Sequence, residues 1–457
     1  MSSQGNTITS GFIDLATFDE IEKYLYGGAD ATAYFVRETR KSTWFTQVPV
    51  TLSRAAGQPN FGQECSWSIS RAGDYLLQSW LRVTVNKVVI ADQQQAGGVT
   101  AIRWTRNFMH NLIRECSITF NDLVAARFDN YHLDFWAGFT VPAGKRNGYA
   151  NMIGSFDSMV NPTDSIDEYV LNLPLPFFYG RDSGVALPTA ALPYNEMRIN
   201  FAFREWQDLL VGYDGALDPA QVETRVNVPA SALVATPELT KVQLWSNYAI
   251  VSNDERKRMA CAPRDILIEQ VQTAPKQTFL TNGQNNPNYD IRFSHAIKVL
   301  FFSVRNTTWK SEWSQYITHS PVINGGITNF TPDGFADPIE STSLIYENTQ
   351  RLSGMGSDYF SLVNPYYHAP TIPTETGLHT YSYSLDFIQL DPMGSTNYGK
   401  LTNVSILPEA SAIARNAAQG TRNEPGAVVA QKYDFIVTAI NNNIIRISGG
   451  ALGFPVL

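Results

Sequence analysis

The sequence predicts an all-β protein in which two β-sandwich units pack together. Alternation of apolar and polar residues with a period of two recurs along the whole chain, as expected of strands with one buried face. The 31 Gly and 24 Pro residues separate these segments into short pieces. The 457 residues are about twice the length of a large single all-β domain. Charged residues reach only 17% against a typical ~25%, which disfavours disorder and coiled coil.

The alternation predicts individual half-buried strands. In residues 77–85 the residues Leu77, Leu81, Val83 and Val85 are predicted to face one way, and Gln78, Trp80, Arg82 and Thr84 the other. The same pattern predicts four further strands, at residues 197–204, 241–250, 381–385 and 433–439. Residues 297–304 are apolar on both faces, which predicts a strand inside the core of the second half.

Two short helices and one hairpin complete the local predictions. Residues 17–20 (TFDE) match a capping box, which predicts a helix over residues 18–26 with Phe18, Ile21 and Leu25 on one face. Residues 253–259 predict a solvated linker helix capped by Asn253 or Asp254. The run of Asn at residues 441–443, flanked by isoleucines, predicts a hairpin turn.

Charge and cysteine content limit the function and the compartment. The net charge of −8 leaves no excess of Lys and Arg to neutralise phosphates, so direct nucleic-acid binding is not expected. The polar start MSSQGNTITS does not resemble a secretory signal, which predicts synthesis in the cytosol. Cys65, Cys116 and Cys261 are odd in number and widely spaced, so we expect three free thiols.

No motif predicts chemistry. The six His show no spacing typical of a metal site, and none lies in a recognisable catalytic motif. The string GRDSG at residues 180–184 lacks the Gly-Pro that follows the nucleophile of trypsin-like proteases. We therefore predict no catalytic residue, no metal and no cofactor. Three long connections, at residues 93–100, 207–239 and 408–428, are too polar or too rich in small residues to be core.

A set of strings in fixed order resembles the major capsid proteins of iridoviruses, and the resemblance covers essentially the whole chain. The most specific stretch is LPLPFF at residues 173–178, followed by LPYNE at 192–196. The other matching strings include GFIDLAT at 11–17, SRAGDY at 70–75, YANMIG at 149–154, EQVQ at 269–272 and GSTNYG at 394–399.

This resemblance implies a double jelly roll, in which two eight-stranded antiparallel β-sandwiches stand side by side. The implied organisation is an N-terminal arm at residues 1–45, a first jelly roll at 46–257 and a second at 258–457. The implied function is that of a structural capsid protein. The resemblance further implies that homotrimers form pseudo-hexameric capsomers, which tile the icosahedral shell of a large double-stranded DNA virus. The expected location is the capsid of the virion, and the expected site of synthesis and assembly is the host cytoplasm.

Two groups of residues receive structural roles from this comparison. The arm, through Phe18, Ile21 and Leu25, is expected on the inner face of the shell, where minor capsid proteins and the internal viral membrane are its candidate partners. The alternative is that the arm packs under its own first sandwich. Arg71, Gly73 and Asp74 are expected in a strand-to-strand turn, with Gly supplying a free dihedral and Asp a backbone acceptor.

Two other classes of function compete with the capsid interpretation. A jelly-roll carbohydrate-binding protein is the main alternative, because aromatic residues stack on sugars. Its candidate residues are Trp309, Trp313, Tyr366 and Tyr367. A cupin-type enzyme requires a His-rich metal site inside one barrel, and the spacing of the His disfavours it.

Overall fold

Most of the regular secondary structure lies in antiparallel sheets. The structure is a computed structural model that describes residues 4–91, 98–215, 225–279, 288–318, 322–323, 326–327, 337–419 and 430–455. The three predicted long connections lie partly outside these residues. The chain divides into two units, Met1–Trp44 and Phe45–Leu457.

The first unit contains two helices where one was expected. They are α1 (Gln4–Ala16) and α2 (Glu20–Leu25). The predicted capping box is wrong: the carboxylate of Asp19 caps α2 by accepting a hydrogen bond from Ile21 N at 2.9 Å. The hydroxyl of Thr17 instead donates to Asp14 O at 2.8 Å, so α2 begins after Phe18.

The first half of the second unit is a jelly roll with helical insertions. Its elements in chain order are β1 (Phe45–Thr51), β2 (Ser53–Ala56), β3 (Glu64–Ser68), β4 (Tyr75–Val85), β5 (Val88–Val89), β6 (Ala101–Trp104), α3 (Phe108–Leu112), β7 (Ile113–Phe120), β8 (Leu123–Phe128), α4 (Asn130–Thr140), α5 (Ala143–Ile153), α6 (Asp157–Val160), β9 (Ser165–Ile166), β10 (Tyr169–Pro174), β11 (Met197–Phe203), β12 (Leu210–Tyr213), β13 (Arg225–Val226) and β14 (Leu239–Val251). One sheet has the order β1-β14-β4-β10 and the other β2-β3-β11-β7-β8. Side chains from both sheets, such as Leu81, Leu244 and Phe201, share one buried core.

The second half repeats this architecture. After α7 (Asn253–Cys261) follow β15 (Arg264–Thr273), β16 (Gln277–Thr278), β17 (Tyr289–Asp290), β18 (Ala296–Asn306), β19 (Val322–Ile323), β20 (Gly326–Ile327), β21 (Ile339–Tyr346), β22 (Thr349–Gly356), α8 (Asn364–His368), β23 (His379–Ser382), β24 (Thr396–Asn397), β25 (Val404–Ala410), α9 (Ala412–Ala418), β26 (Tyr433–Ser448) and β27 (Ala451–Gly453). A one-turn π-helix, Tyr359–Val363, runs directly into α8. The sheets have the orders β15-β26-β18-β23 and β17-β25-β21-β22.

The strand order shows the duplication that the sequence conceals. In the first half, the sheet β1-β14-β4-β10 pairs the first strand, β1, with the last, β14. Strand β14 also pairs with β4, and β4 pairs with β10. The sheet β15-β26-β18-β23 has the same connectivity, and β3-β11-β7-β8 corresponds to β17-β25-β21-β22. Each half is therefore an eight-stranded jelly roll, and the chain is a double jelly roll. The predicted boundary at residue 257 falls within α7, and as a domain limit it stays a prediction.

Four of the five alternation predictions are confirmed, the strand predicted at residues 381–385 is present only at residues 381–382 of β23, and the hairpin is wrong. The predicted strands at residues 77–85, 197–204, 241–250 and 433–439 lie in β4, β11, β14 and β26, and residues 297–304 lie in the buried β18. Residues 440–444, however, continue β26, which pairs with β15 and β18. Two amides of this run bond across strands: Asn441 Oδ1 accepts from Gln272 Nε2 at 2.9 Å, and Asn443 Nδ2 donates to Gln270 Oε1 at 3.0 Å.

The linker helix α7 forms over the predicted residues with a different cap. Ser252 occupies the N-cap position instead of the predicted Asn253 or Asp254. The side chain of Ser252 makes no capping hydrogen bond. None of the α7 side chains is buried, which agrees with the predicted solvated face. Within the described residues no helix combines the length and the apolar character that crossing a membrane requires.

Candidate assembly surfaces

The contact between the two jelly rolls contains an aromatic core of its own. Helix α4 of the first roll places Phe135 and Phe139 over Phe301 of β18, with ring centroids 5.6 and 5.5 Å apart. Phe301 lies on the opposite face of its sheet from Leu300 and Phe302, which belong to the core of the second roll. Apolar burial thus holds α4 against the outward face of the second roll.

A buried carboxylate pairs with two arginines at this junction. Glu312, from the second roll, pairs with Arg103 of β6 and accepts a hydrogen bond from Arg225 Nε at 2.9 Å. All three side chains are almost completely inaccessible. Removal of one partner from a buried pair leaves an uncompensated charge, so this cluster fixes the alignment of the rolls.

Next to this carboxylate, Trp313 lies between two guanidinium groups. Arg204 of the first roll and Arg305 of the second stack on its ring, with Cζ at 3.8 and 3.6 Å from the ring centroid. The indole Nε1 donates to Asp208 O at 2.8 Å. Burial lowers the pKa of Arg204 to about 10, and the group stays cationic at neutral pH.

A second charged cluster joins the rolls at Glu269. This carboxylate pairs with Arg181 of the first roll and accepts from Lys298 Nζ at 2.5 Å. Arg181 also donates to Ile388 O at 2.8 Å and stacks on the ring of Trp136 of α4. One guanidinium therefore contacts three separate segments of the fold.

A third polar cluster centres on Asp134 of α4. Its Oδ1 lies 2.7 Å from His110 Nδ1, and its Oδ2 accepts from Ser314 Oγ at 2.8 Å and Tyr316 Oη at 2.6 Å. Burial, with the nearby Asp134 charge as a further cause, raises the pKa of Tyr316 far above its usual value. The phenol is consequently a permanent donor to this carboxylate.

The segment that contains Arg71, Gly73 and Asp74 connects β3 to β4, which belong to different sheets of the first roll. Arg71 donates to the carbonyls of Leu192 and Asn195 at 2.8 and 2.6 Å. Asp74 accepts from Val251 N at 2.9 Å and from Arg256 of α7 at 2.7 Å. Burial alone would raise the pKa of Asp74, but these hydrogen bonds and the Arg256 charge hold it below its ordinary value.

The expected reason for Gly73 is wrong. Its backbone φ lies outside the left-handed region, so no free dihedral is needed. A Cβ at this position would instead lie 2.6 Å from Cβ of the buried Tyr248. Close packing of the backbone on Tyr248 requires glycine here.

The predicted arm residues are exposed in the first unit. Ile21 and Leu25 lie on α2, Phe18 precedes it, and each of the three side chains is more than half exposed. The unpredicted helix α1 adds exposed apolar side chains, among them Ile8, Phe12 and Leu15 at helical spacing. The exposed apolar surface of the arm is larger than the sequence indicated.

One cluster combines residue types used in catalysis, and sequence analysis did not identify it. Ser357 Oγ lies 2.8 Å from His379 Nε2, and Asp337 Oδ2 lies 2.9 Å from the same nitrogen. In a catalytic triad the carboxylate binds the other ring nitrogen and orients the base. Here His379 Nδ1 is buried and makes no hydrogen bond with any described residue. The arrangement is a buried polar contact without the geometry of a relay.

The remaining candidates for chemistry are isolated groups. In the described ranges no three side chains from His, Cys, Asp and Glu come together in a way that holds a metal ion. The cysteines are free, with Cys65 and Cys116 buried and Cys261 exposed. Burial raises the pKa of Cys65 to about 12 and the pKa of Cys116 well above its usual value, which makes both thiols poor nucleophiles.

Comparison with known proteins gives matches along the chain. A family model described as large eukaryotic DNA virus major capsid protein matches residues 255–453, and a model of the major capsid protein N-terminus matches residues 33–251. The chain is 64% identical over 466 residues to the major capsid protein of Costelytra zealandica iridescent virus, with all of both chains covered. It is also 64% identical to the major capsid protein of Wiseana iridescent virus, over 98% of this chain and 94% of that one.

A solved structure supports the same fold. The PBCV-1 virus capsid, described as a quasi-atomic model, superposes with a TM-score of 0.74 and 20% identity, covering 93% of this chain and 100% of that chain.

These comparisons do not support the carbohydrate-binding alternative, and the geometry agrees for two of its residues. Trp313 is covered on both faces by arginines, and Arg225 Cζ lies 4.1 Å from the ring centroid of Trp309. Trp313 therefore presents no free face to a sugar, and Arg225 occupies one face of Trp309. Tyr366 and Tyr367 are exposed and form an edge-to-face pair.

Proposed function

Because this chain belongs to the family of large eukaryotic DNA virus major capsid proteins, we propose that three copies form the capsomer from which the icosahedral shell is tiled. The chain is a structural protein of the viral capsid, and its relatives are the major capsid proteins of iridescent viruses. Three chains with two similar rolls each give six similar lobes around a threefold axis. Such a ring fits a nearly hexagonal lattice with a single gene product.

The observation that carries the trimer proposal is the duplicated strand order. The two rolls have the same connectivity, and three buried polar clusters between them bind the pair into one block. Pseudo-sixfold packing needs lobes of similar shape in a constant relative orientation. The duplication supplies the similar shape, and the buried clusters maintain the orientation.

The arm is proposed as the contact of the capsomer with the inside of the shell. Its exposed apolar side chains, with Phe18, Ile21 and Leu25 among them, supply a surface for minor capsid proteins or for the internal viral membrane. Assembly in the host cytoplasm fits three free thiols, since cytosolic proteins rarely keep disulfides. Deletion of residues 1–28 is expected to leave folded trimers that no longer build shells. General unfolding of the deletion variant would instead support packing of the arm against its own roll.

The proposal includes neither catalysis nor direct recognition of nucleic-acid sequence. The His379 cluster lacks the geometry of a relay, and the net charge of −8 offers no general basic surface.

Native mass measurement of the purified chain, together with negative-stain images, tests the capsomer. We expect three times the 50.8 kDa chain mass and plates with six lobes. A stable monomer at micromolar concentration would overturn the proposal.

A further inference from the structure

We propose that the outward face of the sheet β1-β14-β4-β10 binds the helical segment 359–368 of a second copy of this chain. This contact repeats between chains the contact that α4 makes within one chain. The inference rests on the proposed trimer and assigns the surfaces that close it.

The template is the contact already present inside the chain. Helix α4 follows β8 of the first roll and carries Tyr131, Phe135 and Phe139 at intervals of four residues. All three are buried with residues on the outward face of β18 and β26 of the second roll, including Phe301 and Ile436. A helix after the β8 position of one roll thus covers the outer sheet of the other.

Each roll contains both elements of this contact, and among the described residues one pair of them is matched, by α4 on the second roll. The sheet β1-β14-β4-β10 is the counterpart of the covered sheet β15-β26-β18-β23. The segment 359–368 follows β22 as α4 follows β8. The first roll's sheet and the second roll's helical segment therefore remain as complementary elements, and a neighbouring copy brings them together.

The sheet face has the composition of an interface centre. Trp80 of β4 and Trp245 of β14 lie directly opposite in register, and their rings stack with centroids 6.3 Å apart and planes 10° apart. Next to them Asn247 Nδ2 donates to Gln78 Oε1 at 3.2 Å. The outward positions around these hold one charged residue, Arg82, among otherwise uncharged ones. They are 47, 49 and 51 on β1, 243, 245 and 247 on β14, 78, 80 and 82 on β4, and 172 and 174 on β10. A second charged residue, Lys241 of β14, lies one row further towards the edge of the face, in register with Thr84 and Val170. Interface centres are depleted in Lys, Glu and Asp and enriched in Trp and Arg.

The helical segment offers a matching apolar ridge. Phe360 is buried in the second roll, and Asn364 Oδ1 accepts from Ser382 N at 3.2 Å, which fixes the segment on its own roll. The other side of the segment exposes an apolar ridge, with Tyr366 and Tyr367 at 69% and 72% exposure. The ridge consists of Leu362, Val363, Tyr366 and Tyr367. Four clustered apolar side chains at helical spacing are a surface that burial in a partner stabilises.

A contact between two different surfaces has a consequence for symmetry. It is heterologous, so it closes into a ring only when the rotation between copies fits, and a rotation of one third of a turn gives the trimer. A sheet face that paired with its own copy would give a twofold dimer instead. The ridge would then have no part in assembly.

The test uses full-length variants that each disable one surface. Trp80→Ala with Trp245→Ala removes the sheet side, and Tyr366→Ala with Tyr367→Ala removes the ridge. Tyr194→Ala, at another highly exposed tyrosine, is the matched control. Native mass spectrometry over a concentration series measures the assembly, and urea unfolding of each variant confirms the fold. If the tryptophan variant fails to fold, Gln78→Arg with Gln243→Arg replaces it, because both glutamines are exposed on the same face.

We expect each double variant to weaken trimer formation at least about a hundredfold, as for loss of two central aromatics, while the control trimerises like the wild type. The two defective variants mixed at high micromolar concentration should give a 1:1 dimer, because one intact contact remains between them. Normal trimers from the ridge variant would overturn the assignment and leave the capsomer intact. A monomeric wild type would instead contradict the proposed trimer itself.

Discussion

Replacement of Glu312 by glutamine tests whether the buried cluster at the junction holds the two rolls together. The carboxylate pairs with both Arg103 and Arg225 and is almost fully inaccessible. Both contacts are made by Oε1, whereas Oε2 makes no hydrogen bond with a described residue. Glutamine has the same shape, so its oxygen retains the two contacts and only the negative charge is lost. Two buried guanidinium groups then lose the negative charge that Glu312 supplies.

The expected loss follows from measurements on buried pairs. Removal of one partner from such a pair typically costs about 3–5 kcal/mol. The substitution preserves hydrogen bonds and volume, so we expect the lower end of this range, about 3 kcal/mol of unfolding free energy. The matched control is Asp265→Asn, which removes the carboxylate of an exposed pair with Arg446 on β15 and β26. Exposed pairs contribute little, so the control should unfold at the wild-type urea concentration.

Urea unfolding followed by tryptophan fluorescence is the assay, because Trp309 and Trp313 lie beside the cluster. All proteins are compared at one concentration, since oligomer formation adds to apparent stability. A loss below about 1 kcal/mol for Glu312→Gln would refute the reasoning, because it would place the arginine charges in contact with water or other anions.

Three further predictions follow from single contacts. In denaturant without reductant each chain should react with three equivalents of thiol reagent, and a result of one equivalent would reveal a disulfide. In the folded protein Cys261 should react first, because Cys65 and Cys116 are buried. Gly73→Ala should lower the unfolding free energy by about 1–3 kcal/mol, since the new Cβ would overlap Tyr248, and an unchanged urea midpoint would contradict this. Burial lowers the pKa of His132 from 6.5 to about 3. Between these pH values the unfolded chain binds a proton at His132 and the folded chain does not, so the unfolding free energy should fall as pH falls through this window, by up to about 1.4 kcal/mol per pH unit. His132→Phe should remove that share of the pH dependence.

The sequence was sufficient for elements in which one local period dominates. Strands such as β4, β11 and β14 alternate because one face packs on the core, and that face is visible in any short window of residues. The asparagine run in β26 was misinterpreted for the opposite reason. Asn favours turns when its amide bonds locally, but the amides of Asn441 and Asn443 bond to Gln272 and Gln270 on the neighbouring strand, which no local pattern reveals.

The residues at the junction between the rolls could not be found from the sequence. Arg103 and Glu312 are separated by 209 positions, and Arg181 and Glu269 by 88. The local sequence around each of these residues therefore predicts only an ordinary solvated charge. The one available signal was indirect. Glu312 stands directly beside Trp313 in a chain with only 17% charged residues, but this neighbour does not identify the arginines that pair with the carboxylate.

The chemistry of the junction explains why charges are buried there when aromatic packing by α4 already supplies attraction. Apolar contacts are tolerant of small rotations, because area is lost gradually as two surfaces slide. A buried carboxylate between two guanidinium groups is intolerant, since any shift leaves charge without a partner at a cost of several kcal/mol, on the order of the total stability margin of a domain. The Phe135 stack therefore brings the rolls together, and the Glu312 and Glu269 clusters select one relative orientation. A capsomer that places six lobes on one lattice needs that second property, because an angular error between the lobes of one chain would be repeated in all three copies.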